Sequence, residues 1–427
     1  MNFEKICVLG LGYIGLPTAS TFATHGMRVV GVDVNPQIVA GLQNGEMHIY
    51  EPGLRTLVQA ARKSGNLEVC AQPERADAFL IAVPTPFYDD KRADMRAVIS
   101  AAESVVPVLQ PGNLVVLEST SPPRTTVDLL LPILERSGLK AGVDFHVVYS
   151  PERVLPGQIL RELIENARVI GGITPACAEA GRDLYATFVR GEIILTDATT
   201  AEMVKLMENT YRDVNIAIAN EFSRLADRFG VDVSEAIRLA NLHPRVRILS
   251  PGPGVGGHCI SVDPWFLVEA APDLTPLIRT ARNVNDSQPH FVMSLVHRAL
   301  GENLAGKKIA ALGLAYKPDV DDLRESPAVE VAHLLTQAGA EVLCYEPFKP
   351  EAVLPGLTLV NPLAAAVEDA DLLLLLVNHT PLRELDPFVI NQLTKARVVV
   401  DAVNAWPETW TEAGFRVFRL GVGKPVL

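Results

Sequence analysis

Short apolar runs, each bounded by charges or glycines, recur along the chain at the length of a β-strand. Lys5–Leu9 (KICVL) leads through a glycine-rich turn into a helical stretch of small and apolar residues. MRVVGVDVNP (27–36) is a second strand ending in Asp33, and ADAFLIAVPTP (76–86) and NLVVLEST (113–120) carry two more. These runs are apolar throughout and do not alternate, the mark of strands covered on both faces. Helical stretches between them make the strands parallel.

The pattern then repeats near the other end. KIAALGLAYKP (308–318) matches the first strand and turn, AEVLCYEP (340–347) ends a second strand in Glu346, and DADLLLLLVNHT (369–380) and RVVVDAVN (397–404) follow. Four matches in one order predict an α/β chain: two Rossmann-like doubly wound domains, residues 1–198 and 301–427, joined by a long-helix central domain over 199–300. In that middle part Thr199–Phe229 contains no Pro or Gly and keeps helical periodicity, with Thr199 or Thr200 as its cap. About 30 residues at 1.5 Å each reach roughly 45 Å. Val233–Leu242 and Leu277–Leu300 read as further helices. Ile216, Ile218, Phe222 and Leu225 suit either intrachain packing or a second subunit, and a homodimer or higher homo-oligomer through the long helix is expected.

Composition narrows the function. The 427 residues carry 38 Lys plus Arg against 50 Asp plus Glu, a formal charge of −12. That balance argues against a dedicated nucleic-acid surface. The longest apolar run, Leu372–Val377, is far short of the ~20 residues of a membrane span. The chain enters a strand at Lys5 without signal-peptide regions, so a cytoplasmic location is expected. Five cysteines (Cys7, Cys70, Cys177, Cys259, Cys344) form no CxxC pair. An odd number in a reducing compartment is no disulfide framework, and no metal is expected.

Gly10, Gly12 and Gly15 form G-x-G-x-x-G directly after a strand and opening a helix. This is the dinucleotide fingerprint: a tight turn, a close approach of backbone to pyrophosphate, and close helix–strand packing. Asp33, at the end of the next strand, suits a ribose 2′-OH and repels a 2′-phosphate, favouring NAD. In the second copy Ala315 stands for Gly12 and Pro318 for Gly15, and a loop with Lys317, Asp321, Asp322, Arg324 and Glu325 is inserted. A second dinucleotide is not expected there. Lys317 at a strand's C-terminal end suits a phosphate or sugar hydroxyl, or belongs to a solvated loop.

Of the cysteines, Cys7, Cys70 and Cys344 fall in strands and Cys177 in a helical stretch. Cys259 ends PGPGVGGHC (251–259), a loop too glycine-rich to be there for packing, whose exposed N–H groups suit a thiolate or an oxyanion. Asp263 follows four residues on. His258 is adjacent, but loop neighbours point apart, and it is not paired with Cys259. Lys205, Asn209 and Arg212 make one stripe on the long helix, a functional face or a solvated one in which Glu208 pairs with Arg212. SPERVLPG (150–157) sets Glu152 and Arg153 after a strand, as a base or as a helix cap. His243, Arg245 and Arg247 precede the cysteine loop, as a diphosphate site or a surface cluster.

At these residues the chain resembles the UDP-glucose/GDP-mannose dehydrogenase family. The likeness runs over nearly the whole length through LGLGYIGLP, AVPTPF, LESTSP, PERVLPG, HPRV, PGPGVGGHCISVDPWF and LGLAYKPDVDDLRESPA. PERVLPG, HPRV and GGHCISVDPWF point within it to members acting on UDP-N-acetyl-D-mannosamine. The resemblance implies a four-electron oxidation of the sugar C6 alcohol to a carboxylate with NAD, for surface polysaccharide synthesis. Cys259 is implied as the nucleophile, passing through a thiohemiacetal and a thioester. Lys205 is implied as acid/base, Asn209 and Asp263 as its assistants, and Glu152 with Thr120 as the groups that position or activate water. Gly10, Gly12, Tyr13, Ile14, Gly15, Asp33, Thr85, Thr120 and Arg324 carry over as cofactor contacts. Arg153, Val154, Lys205, Asn209, Arg212, His243, Arg245, Gly256, Tyr316 and Lys317 carry over as UDP-sugar contacts. The chain departs from the pattern at Val403 in DAVNAW, where close relatives carry Lys or Arg. The rival readings are the same chemistry on UDP-N-acetylglucosamine or UDP-glucose, a two-electron hydroxyacid-type dehydrogenase, and a non-catalytic nucleotide-sugar sensor.

Overall fold

The computed structural model describes residues 3–257 and 259–423, so His258 lies outside the described residues. The chain divides into two compact units, Met1–Glu208 with Trp265–Leu274, and Asn209–Pro264 with Thr275–Leu427. The helical stretch assigned above to 199–300 is thus shared between them.

The first unit is built on eight strands: β1 (Lys5–Leu9), β2 (Arg28–Val32), β3 (Leu67–Cys70), β4 (Ala78–Ile81), β5 (Leu114–Leu117), β6 (His146–Tyr149), β7 (Arg168–Gly172) and β8 (Ile193–Asp197). Their order is β3-β2-β1-β4-β5-β6-β7-β8. The second unit holds β9 (Lys308–Leu312), β10 (Glu341–Tyr345), β11 (Thr358–Leu359), β12 (Leu372–Leu375), β13 (Val398–Asp401) and β14 (Arg416–Arg419), in the order β11-β10-β9-β12-β13-β14. The first six places of both sheets follow the doubly wound order 3-2-1-4-5-6. Each of the four sequence matches falls on equivalent strands. The repeat extends to single bonds: Asp77 N donates to the Lys5 carbonyl and Asp371 N to the Lys308 carbonyl.

Burial follows the apolar pattern. Every residue of β4, β5 and β12 is buried, as parallel strands covered on both faces require. One departure concerns direction. β7 pairs antiparallel with β6 through Val148–Gly172 and Tyr149–Gly171, while β8 lies parallel to β7. Only 18 residues, including the short helix Ile159–Glu165, separate β6 from β7, and the strand returns alongside its predecessor.

The long helix spans Ala198–Phe229. Its start is tied by Asp197, not by Thr199 or Thr200: the Asp197 carboxylate accepts from Thr200 N (2.9 Å) and Thr200 Oγ1 (2.6 Å). The stretch Leu277–Leu300 is two helices, Pro276–Asp286 and Gln288–Leu300. Pro289 cannot continue the first helix, for want of an N–H, but suits the opening turn of the second. Among the described residues no helix is long and apolar enough to cross a membrane.

Candidate active site

In the first unit the three fingerprint glycines meet three different constraints. Gly10 has a φ of 92°, and its N–H donates to the Val32 carbonyl of neighbouring β2 at 2.8 Å. A Cβ on Gly15 would lie 1.8 Å from the Gly10 oxygen, so only glycine lets the helix Gly15–Thr24 lie this close to β1. A Cβ on Gly12 would meet nothing within 4 Å; the room there is on the ligand side, as close approach of a pyrophosphate demands. Tyr13 and Ile14 are half-buried in the same turn. Asp33 fixes it, one carboxylate oxygen accepting from Leu11 N (3.0 Å) and the other from Asn35 N (2.9 Å). Across the sheet Thr85 Oγ1 donates to the Thr120 carbonyl at 2.6 Å, joining the loops after β4 and β5. These residues fit NAD.

The loop after β6 carries Glu152, Arg153 and Val154, all half-buried. Buried Glu51 holds its far end, accepting from Gly157 N and Ile159 N, both at 2.8 Å. Glu152 is neither free nor a helix cap. It pairs with the buried Arg168 guanidinium of β7 and accepts from Arg153 N at 2.8 Å. Arg153 pairs with Glu208 at 2.6 Å, so Glu208 is taken from the expected partner Arg212. On the long helix Lys205 is only 8% exposed, which excludes a solvated face at that position. Asn209 is half-buried and Arg212 exposed. Buried Glu202, one turn before Lys205, accepts from Arg124 N (2.5 Å), Thr126 N (2.7 Å) and Thr126 Oγ1 (2.7 Å), anchoring the segment that follows Thr120.

In the second unit the cysteine loop corrects one expectation: its glycines do serve packing. A Cβ on Gly256 would lie 2.4 Å from the Glu325 oxygen and 2.7 Å from Pro327 Cδ, and one on Gly257 would lie 2.8 Å from the Tyr316 ring. Gly257 N donates to the Arg324 carbonyl at 3.1 Å. The loop therefore lies flush on the inserted segment that holds Tyr316, Lys317 and Arg324. The Cys259 carbonyl accepts from Val262 N (3.0 Å) and Asp263 N (2.8 Å) at the entry to the helix Asp263–Ala270. Buried Asp263 in turn accepts from Asn209 Nδ2 at 2.5 Å. Cys259, Asn209, Asp263, Gly256 and Tyr316 are thus brought together. His243, Arg245 and Arg247 stand exposed on the loop that Asn241 closes against Ile248, and Arg324 forks onto Asp322.

The other cysteines differ from Cys259, which is half-buried. Burial pushes the thiols of Cys7 and Cys344 up to about 12 and raises that of Cys70, whereas a nucleophile needs the thiolate. Cys177 is enclosed in the core.

Sequence reasoning missed the groups behind Glu152: Arg168, Glu118 and Tyr185. A charged residue opening the otherwise apolar RVIGG strand was the signal available for Arg168. It also missed His379, which lies on Glu346 in the second copy at 3.1 Å.

Three family models match the chain, all described as parts of the UDP-glucose/GDP-mannose dehydrogenase family: its NAD binding domain over residues 4–189, its central domain over 199–287 and its UDP binding domain over 310–408. A UDP-N-acetyl-D-mannosamine dehydrogenase of Methanocaldococcus jannaschii is 47% identical over 428 residues, covering 99% of this chain and 97% of that one. An NDP-N-acetyl-D-galactosaminuronic acid dehydrogenase of Ralstonia nicotianae is 50% identical over 418 residues, covering 95% and 97%. Among solved structures, the UDP-D-ManNAc dehydrogenase of Pyrococcus horikoshii superposes with a TM-score of 0.92 at 40% identity, covering 98% and 99%.

Proposed function

The chain belongs to the UDP-glucose/GDP-mannose dehydrogenase family, and from that premise we propose that it oxidises UDP-N-acetyl-D-mannosamine at C6 to UDP-N-acetyl-D-mannosaminuronate, a building block for surface polysaccharide. The observation that carries this reading is the cysteine loop: a half-buried Cys259 tied through Asp263 to Asn209, in a chain that the Methanocaldococcus enzyme matches end to end.

Gly10–Gly15 and Asp33, with Tyr13, Ile14, Thr85, Thr120 and Arg324 as further contacts, would hold NAD, which would supply the hydride acceptor, one molecule for each of two oxidations. Lys205 takes the proton of the C6 hydroxyl as the aldehyde forms. Cys259 then adds its sulfur to the aldehyde carbon, and the oxygen that becomes anionic is stabilised and protonated by Lys205, with Asn209 and Asp263 assisting. An aldehyde has no route to an acid by hydride loss until a nucleophile has added, and the thiol adduct provides one. After the second oxidation the C6 carbon is a thioester. Glu152 and Thr120 orient water, and the Glu152 carboxylate takes its proton as the new C–O bond forms. The C–S bond breaks, releasing carboxylate and regenerating Cys259.

Arg153, Val154, Arg212, His243, Arg245, Gly256, Tyr316 and Lys317 take the UDP-sugar. The long helix presents Tyr211, Ile218, Phe222, Leu225 and Phe229 exposed at spacings of three, four and seven residues. A stripe of that period is the seam of a helix pair, and the assembly is read as a homodimer through this face. The reaction is placed in the cytoplasm.

The test is a panel of UDP-sugars with NADH counted per sugar consumed. UDP-N-acetyl-D-mannosamine turns over fastest and yields two NADH; one NADH overturns the four-electron scheme. Faster turnover of the N-acetylgalactosamine analogue transfers the reading to the substrate class named for the Ralstonia relative. Cys259→Ser forms no acid, and unimpaired acid formation removes the covalent step.

A further inference from the structure

Beneath Glu152 lies a buried charge cluster with one cation and two carboxyls. Arg168, at the start of β7, is enclosed together with Glu118 just past β5 and Tyr185 on the helix Pro175–Tyr185. One guanidinium nitrogen contacts Glu152 directly. The other donates to Ser150 Oγ at 3.0 Å and stands 3.6 Å from Glu118 Oε1. The Tyr185 ring packs on the guanidinium, 3.9 Å from centroid to Cζ, and its hydroxyl donates to Glu118 Oε1. Glu118 Oε2 finds no hydrogen-bond partner among the described residues.

Two buried carboxylates cannot both be neutralised by one guanidinium, and an uncompensated buried charge is costly. Geometry decides which carboxyl keeps a proton. Glu152 has direct contact with Arg168 and the Arg153 N–H; Glu118 has the more distant side of the guanidinium, complete burial and an unmatched oxygen.

We propose that Glu118 is a positioning residue for Glu152: a buried carboxyl that competes for the single Arg168 guanidinium and so sets how firmly the Glu152 carboxylate is held. This rests on the reading of Glu152 as the group that takes the proton of water. While Glu118 is neutral, Arg168 serves Glu152 alone and holds its carboxylate against the guanidinium. Once Glu118 ionises, it draws on the same cation, and the Glu152 carboxylate is released toward the water it orients. The groups facing Glu118 are Arg168 from β7, Glu152 from the loop after β6, and Tyr185 from the helix behind. Burial pushes the Glu118 carboxyl up to about 7, with Arg168 opposing and Glu152 adding to the rise, which puts the transition near neutral pH.

The experiment is single-turnover release of uronate from the thioester, followed against pH in the full-length enzyme with NAD and UDP-sugar. In the wild type the hydrolysis rate rises by up to about tenfold through a limb centred near pH 7. Glu118→Gln keeps the shape and abolishes the limb. Infrared difference spectra over the same range lose a carboxylic-acid band in the wild type and show none in the variant. Tyr185→Phe removes a hydrogen bond to the ionised form and moves the limb to higher pH, and it decides the matter should Glu118→Gln fail to fold. A limb that stays in place in either variant overturns the proposal. Glu152→Gln separates the two layers, since wild-type hydrolysis in that variant overturns the role of Glu152 itself.

Discussion

Two alanine substitutions three positions apart on the same turn, at Gly12 and Gly15, should fail in opposite ways. Gly12 carries no positive φ, and a methyl group there meets no atom within 4 Å. Gly12→Ala therefore folds normally, and loss of backbone freedom in the unfolded chain even stabilises it by about 0.5 kcal/mol. The methyl does occupy the space into which a pyrophosphate must come to reach the turn's N–H groups. NAD affinity should fall at least tenfold, about 1.4 kcal/mol. Gly15→Ala meets the reverse situation. Its Cβ would lie 1.8 Å from the Gly10 oxygen, where ordinary contact begins at 3.4 Å, and the obstacle is backbone. Strand and helix must part by a distance no side-chain rotation supplies, at a cost of about 3 kcal/mol or more. Calorimetric titration with NAD and urea unfolding of the two variants separate the effects. A Gly12→Ala protein that binds NAD like the wild type, or a Gly15→Ala protein with an unchanged urea midpoint, would refute the division of roles.

Glu118 also makes stability depend on pH. Its folded carboxyl is raised from 4.5 to about 7, so between those values the folded state binds a proton that the unfolded state does not. Stability contributed by this group is complete below pH 4.5 and declines by about 3 kcal/mol by pH 7. Urea unfolding at several pH values should show that decline in the wild type and not in Glu118→Gln; parallel curves would remove the buried proton. On the long helix Phe222→Glu with Phe229→Glu places charge in the exposed apolar stripe and should convert a dimer to monomers by sedimentation. Each buried phenylalanine side chain is worth roughly 2 kcal/mol, and an unchanged mass would exclude this face as the interface.

What could be read from the chain was local or repeated. Strand after strand followed from unbroken apolar runs, and Gly10 and Gly15 meet the turn and packing constraints that their spacing implied. Pairings set by topology could not be read. Arg168 reaches Glu152 and Glu118 because β5, β6 and β7 are neighbours in the sheet, although Glu118 and Arg168 are 50 positions apart in sequence. The antiparallel entry of β7 is invisible in an apolar run, since direction leaves no mark on composition. Glu208 looked like a partner for Arg212 at helical spacing, yet the loop after β6 brings Arg153 to it. The glycines before Cys259 looked like ligand space until the segment 316–327 was seen against them.

The two copies of the fold differ by a substitution that the repeat itself locates. Aligning Asp77 with Asp371 sets Thr85 against His379, and the ends of the second strands set Asp33 against Glu346. In the first copy Asp33 is half-buried and spends one oxygen on Leu11 N and one on Asn35 N, leaving lone pairs for a ribose. In the second, Glu346 is buried and accepts from Leu314 N (2.7 Å), Ala315 N (3.0 Å) and Phe348 N (2.9 Å). His379, itself buried, lies on the same carboxylate. The Asp319 N–H donates to its Nδ1 at 2.9 Å, which leaves Nε2 to carry the proton toward Glu346. The acid that would read a ribose is thus consumed by its own fold, and a ring stands where the first copy has a small hydroxyl. Loss of Gly12 and Gly15 equivalents alone would weaken a dinucleotide site; the filled carboxylate removes its anchor. One architecture can therefore serve two nucleotides in one chain, with NAD at the copy that keeps its acid open and UDP at the copy that has closed it.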